Sequence, residues 1–289
     1  MKKFKIRFSY FLILGIIGII FQIISFFSWK NGDVSQALLI TSSTAEHFDL
    51  YIKQNYFVIV SCVFMICFAV GLVICSKGKQ LLTKIGGYTL GVSQLLVLVV
   101  TIVYISYATK YRTTLFKEEE QIKMISNLVS LKYTGLLLTY IGLAVTSLGL
   151  VIYKKEEKFT KAGGYVGLVF NGLLVIGLLT VLVGGSFSQT YEVTNCFIDL
   201  GKNLKDPYEL LHGSMNGFTF THLKRLFILF DEIALGVRPE AFRALQSSVV
   251  ISIITLVINA ITILGNLIFL SLVTIQSFDV DKDNKPLEI

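Results

Sequence analysis

Three aspartates stand at alternate positions near the C-terminus, Asp279, Asp281 and Asp283, with the opening spacing of an EF-hand loop. The remainder of that loop does not follow. Asn284 stands where the sharp turn needs glycine, and no glutamate occupies the twelfth position. A solvated tail is the expectation. Glu118-Glu119-Glu120 could attract a cation, but a run of like charge reads as the wet face of a short outer-loop helix. Ser186 follows Gly184-Gly185 with no His or Lys near it in sequence to activate its hydroxyl. His47, His212 and His222 fall between the apolar segments, not within them. H-E-x-x-H, G-x-S-x-G and P-loop patterns do not occur. These absences point away from an enzyme, and neither a metal site, a cofactor nor a nucleic-acid partner is expected.

What polar chemistry the apolar segments carry is neutral. Ser248, Ser252, Thr255, Asn259, Thr262 and Asn266 are spaced four, three, four, three, four. At about 100° per residue they fall within an arc of roughly 80° on one helix. The apolar majority then faces lipid and the polar minority faces protein. Weaker stripes recur elsewhere: Gly15, Gly18, Gln22 and Ser25; Gly87, Gly91, Gln94 and Thr101; Gly135, Thr139, Gly142, Thr146 and Gly149; Gly164, Gly167 and Asn171. A softer one is Cys67, Gly71 and Cys75. Such stripes can glue helices together or line a wet path. Glycine-rich seams close space, so packing is the expected role, with Gly87, Gly91, Gly135, Gly142, Gly149, Gly164 and Gly167 as the packing glycines. Asn259, Asn266, Gln94 and Asn171 are the costliest of these groups to bury unpaired.

The elements that position these stripes follow from hydropathy. Of 289 residues, 54% are hydrophobic and only 16% charged. A soluble domain would carry about 25% charge. Six segments free of Asp, Glu, Lys, Arg and His are long enough to cross a bilayer, near 8–29, 56–76, 85–107, 133–153, 162–184 and 247–272. The first follows Lys2, Lys3, Lys5 and Arg7 as a signal peptide would, but Ser25-Phe26-Phe27-Ser28-Trp29 offers no small-residue cleavage site. We read it as a retained span. Pro207, Pro239 and Pro286 all lie outside the spans. The expected fold is an all-α polytopic membrane bundle, 1–289 forming one membrane domain of six transmembrane helices.

Basic residues give the orientation. Segments 1–7, 77–84, 154–161 and 273–289 hold 13 Lys and Arg in 40 residues; 30–55, 108–132 and 185–246 hold 13 in 113. Both termini are therefore expected inside, with 273–289 a cytoplasmic tail. The net charge of +7 is a topology signal beside an anionic leaflet. Cys196 is the one cysteine outside the second span, and no N-x-Ser/Thr acceptor occurs. With the Lys- and Ile-rich composition, this favours a bacterial plasma membrane.

The chain also repeats itself. Thr83-Lys84-Ile85-Gly86-Gly87-Tyr88 returns as Thr160-Lys161-Ala162-Gly163-Gly164-Tyr165, and Gly71-Leu72-Val73-Ile74 as Gly149-Leu150-Val151-Ile152. Lys5 and Tyr10 make a faint third copy. Three hairpin quasi-repeats result, the third with an enlarged, partly helical outer loop at 185–246. Within that loop, Leu223, Leu226, Phe227, Phe230 and Ile233 form the apolar face of an amphipathic helix. Pro239 then starts a helix that runs on into the sixth span. The expected role is an assembly, accessory or interaction component whose contact surface is 185–246, meeting the lipid bilayer and a membrane or surface protein. The alternative is a channel or transporter subunit that moves a small solute along the polar seam of span six.

Overall fold

The computed structural model describes residues 5–27, 44–76, 80–110, 119–154, 156–183, 239–283 and 287–288. Six long helices account for nearly all of them: α1 (Phe8–Phe27), α2 (Thr44–Cys75), α3 (Leu81–Lys110), α4 (Glu119–Tyr153), α5 (Lys158–Val183) and α6 (Pro239–Asp283). A two-residue antiparallel ladder joins β1 (Lys5–Ile6) to β2 (Leu287–Glu288) and brings the two ends of the chain together.

Six apolar stretches are long enough to cross a membrane: Phe8–Phe27, Gln54–Cys75, Leu81–Tyr107, Ser130–Tyr153, Lys158–Thr180 and Ile254–Asp279. They overlay the six segments found by hydropathy, with two informative differences. The fourth starts at Ser130 and takes in Lys132, which the charge-free criterion had left outside. The sixth reaches Asp279, and its helix continues to Asp283, so most of the segment read as a tail is helical. A helical backbone at Asp279, Asp281 and Asp283 is not the loop that an EF-hand needs, because residues two apart on a helix point in nearly opposite directions. Likewise the acidic run at Glu119-Glu120 opens α4 itself; no separate short helix carries it.

Several ends have identifiable causes. Pro239 is the first residue of α6, where its missing N–H is not needed. Between α4 and α5 the chain turns on Glu157. Its carboxylate accepts from Lys154 Nζ and, at 2.9 Å, from Thr160 Oγ1. Its carbonyl accepts from Lys161 N. A carboxylate at a helix N-terminus faces the positive end of the backbone dipoles.

The helices form a closed ring in chain order, each packed on its neighbours, with α6 returning to α1. Neighbours are antiparallel. On α1 and α2, Gly18 lies against Met65, Gly15 against Phe68 and Gly71 against Phe11. The α2–α3 and α4–α5 turns lie at one end of the ring, here the basic end, with Lys84, Lys154 and Lys161. Outward-facing residues such as Val92, Ile176, Ile261 and Ile268 are exposed. Those turned inward or to a neighbour, among them Leu12, Phe68, Leu90, Leu143, Leu174 and Phe269, are buried in one core. This inversion relative to a soluble bundle suits lipid outside and protein inside.

Paired glycines set the close approaches. A methyl on Gly86 would strike Thr146 and Gly142 on α4, whereas one on Gly87 would meet Ala69 and Leu72 on α2. On α5, Gly163 faces Phe269, Leu272 and Val273 of α6, and Gly164 faces Ser147 and Val151 of α4. In both pairs the first glycine admits the next helix and the second admits the previous one. Without Cβ atoms, α3 and α5 can each be approached from both sides at one level.

Candidate functional site: the polar interior

On α6, Thr255, Asn259, Thr262 and Asn266 are all buried, while Val257, Ile261 and Leu264 between them, and Ile268 beyond, are exposed. Three of the four turn to α5, and Asn259 reaches across the ring to α4. Thr255 Oγ1 donates to Gly177 O on α5 at 3.4 Å. Thr262 Oγ1 faces Phe170 O at 3.2 Å and its own Ile258 O at 2.8 Å. Asn266 and Asn171 exchange bonds reciprocally, at 2.7 and 3.0 Å, and Asn171 Nδ2 also donates to Gly167 O at 2.6 Å. Ser248 and Ser252 belong to the same helix by backbone; their side chains lie outside the described residues. So do Leu223, Leu226, Phe227, Phe230 and Ile233, and almost all of 185–246.

Between α3 and α4, Gln94 Nε2 donates to Thr139 Oγ1 at 2.9 Å. That hydroxyl lies within reach of Ser93 Oγ and of Gly135 O, and Ser93 Oγ donates to Leu90 O. This is a relay of neutral donors ending on a backbone carbonyl. Lower in the same seam a reciprocal clasp forms. Thr83 lies on Gly149, and Thr146 lies on Gly86. Thr-x-x-Gly stands on both helices, so each threonine fills the space that the other helix's glycine leaves. Ser147 occupies the same relation to Gly167 on α5. The hydroxyls of Thr83, Thr146 and Ser147 have no conventional partner. Each instead sits over a glycine backbone, where a Cα–H···O contact is available.

Of the other stripe glycines, Gly142 admits the Leu90 backbone, whose N lies 2.9 Å from where a methyl would be. Gly135 leaves room only for a Val97 methyl. Gly91 differs: a methyl there would meet Ala69 Cβ at an ordinary 3.6 Å. Gly91 is therefore small without the packing requiring it.

A third network crosses the ring. Tyr140 on α4 reaches past the interior to two helices that are not its neighbours. Its hydroxyl accepts from Gln22 Nε2 of α1 at 3.0 Å and donates to Asn259 Oδ1 of α6 at 2.9 Å. Tyr140 was invisible to a search for small and polar stripes. The available signal was its depth, since a tyrosine ten residues into the span at Ser130–Tyr153 is remote from the interfacial belt where tyrosines usually sit.

Lys132 is the other residue missed. It is 5% exposed, with Nζ 3.3 Å from Asn55 Oδ1 on α2. Gln54 and Asn55, consecutive on α2, are both fully buried, and Ser25 Oγ of α1 donates to Gln54 O. A cationic side chain thus sits inside the ring near the end remote from the basic turns. Ionisable residues within a membrane span are rare and usually face the interior or a partner.

Among the described residues no three His, Cys, Asp or Glu side chains come together. The interior is a set of neutral hydrogen-bond donors and acceptors with one ammonium. It can hold helices, bind a polar molecule or conduct one. No protein-family model, curated protein or solved structure matches the chain.

Proposed function

We propose that this protein is a non-enzymatic, multi-pass component of a bacterial plasma membrane that assembles with or supports another membrane or surface protein. Residues 185–246 form its extracytoplasmic contact surface. Both termini are inside, as the density of basic residues in the inner segments favours. The three hairpins descend from one unit, and the matching surroundings of Gly86-Gly87 and Gly163-Gly164 support that descent.

One observation carries the role. The polar groups of the α6 stripe that the structure describes bond mainly to helices beside or across from it, so the seam has a structural use already. With the interior occupied in that way, the distinctive function moves to the one long loop that departs from the repeat. Co-purification in mild detergent, with and without residues 192–236, tests it. Loss of a specific partner on deletion is expected, and an unchanged set of partners would sink the proposal.

A second reading has its own support. Lys132 is buried within an apolar span, and Asn259 Nδ2 is buried without a partner; both suit a subunit that passes a small solute. Single cysteines at the stripe positions, probed with a membrane-impermeant thiol reagent, separate the two. Labelling at Asn259→Cys from the aqueous side favours the path.

A further inference from the structure

Four buried side-chain atoms among the described residues lack a hydrogen-bond partner: Thr83 Oγ1, Thr146 Oγ1, Ser147 Oγ and Asn259 Nδ2. The first three lie on glycines of neighbouring helices. Asn259 Nδ2 is not among the atoms lying nearest to any described glycine. It carries two N–H donors at a residue with no exposed surface. Leaving such a group unsatisfied is costly, and folded proteins seldom accept that without a bound molecule to relieve it.

The surroundings say what kind of molecule. Tyr140 Oη already accepts a hydrogen bond from Gln22 Nε2 and donates one to Asn259 Oδ1. Two groups remain around that hydroxyl, the buried Asn259 N–H donors and the Oε1 acceptor of half-buried Gln22, on two helices that meet at the closing seam of the ring. A ligand that both accepts and donates would answer them together. A bare cation meets N–H donors and is repelled. An anion has no balancing charge close by, because Lys132 lies eight residues from Tyr140, about 12 Å along the helix. The ligand is neutral, small and hydroxylic.

We propose that Gln22, Tyr140 and Asn259 enclose a binding site for one small neutral hydroxylic molecule, water in the resting protein, within the spans of α1, α4 and α6. The site stands independently of any partner at 185–246.

Radiolytic footprinting of the full chain in nanodiscs tests it. A millisecond X-ray pulse generates hydroxyl radicals from bound water, and these hydroxylate the nearest aromatic ring, read by mass spectrometry. Tyr140 should be modified well above Phe269, an equally buried aromatic of α6. The excess should be lost in Asn259→Leu and reduced in Gln22→Met, a milder change that serves if the first variant fails to insert. Asn259→Cys should stay unlabelled by an impermeant thiol reagent. A Tyr140 signal no greater than that of Phe269 overturns the site. An excess that persists in the variants overturns these ligands. Labelling of Asn259→Cys overturns the enclosure and indicates an open path.

Discussion

At the scale of the residue, the useful distinction is between polar groups that close on one another and those that leave a remainder. Asn171 and Asn266 close. Replacing Asn171 by Leu leaves Asn266 buried without its partner, and the expected loss is roughly 1–3 kcal/mol, the cost of an orphaned polar group. The pair's own worth in a membrane is nearer ~0.6 kcal/mol. The double variant Asn171→Leu, Asn266→Leu should therefore recover most of the loss in reversible unfolding measured by steric trapping. If the double variant is as unstable as the single one, the pair does more than satisfy itself. Lys132 follows the same asymmetry. Asn55→Leu removes an acceptor from a buried ammonium, whereas Lys132→Met removes the charge and keeps the stem. Thermal unfolding in detergent should show Asn55→Leu to be the more damaging change; the reverse order would mean that the ammonium is held chiefly by other groups. The α6 stripe was legible from spacing alone. Its partners were not, because a helical period shows which face turns inward and not what it will meet. Tyr140 and Lys132 escaped for opposite reasons, one being aromatic in a search for small groups, the other charged in a search for charge-free runs.

At the scale of the element, six helices could be read from hydropathy because a bilayer demands about 20 apolar residues and little else. Their ends were harder to read, since helices run on past the membrane where nothing in composition stops them: α4 begins at Glu119 and α6 ends at Asp283. Glycine spacing also overstated its message. It named the seams but could not rank them, since rank depends on the backbone opposite. Gly86 and Gly142 face backbone atoms of each other's helices, so Gly86→Ala or Gly142→Ala should destabilise by about 1–3 kcal/mol, the range of overpacking. Gly91 has room for a methyl, and at Gly172 nothing lies within 4 Å. There alanine gains helix propensity, so Gly91→Ala and Gly172→Ala should be neutral or stabilising by up to about 1 kcal/mol. Unfolding of the four variants side by side checks the ranking, and equal penalties at Gly86 and Gly91 would contradict the packing described.

At the scale of the molecule, the ring has unequal seams. Five join helices adjacent in sequence. The sixth joins the first helix to the last, and there Gly15 meets side chains, Phe68 Cγ of α2 and Leu270 Cδ1 of α6, at 3.0 and 3.1 Å from a would-be methyl. In a background lacking the native cysteines, Gly15→Cys with Leu270→Cys should form an intrachain disulfide on mild oxidation in membranes, seen as a gel-mobility shift. No crosslink there would leave the six helices as an open row. Sequence could suggest three similar hairpins, but nothing in such a pattern says whether the first and last helices meet. Tyr140 marks that they do, and its two bonds carry a consequence in time. Gln22 is synthesised before it and Asn259 long after. While the final helix is still in the ribosome, Tyr140 can engage only the first helix, and Asn266 finds Asn171 already waiting in the bilayer. The last segment therefore arrives with its polar side unanswered and five helices ready to receive it, so insertion of α6 and closure of the ring become one event. A nascent chain arrested before Asn259 would hold every earlier hairpin and still be unfinished.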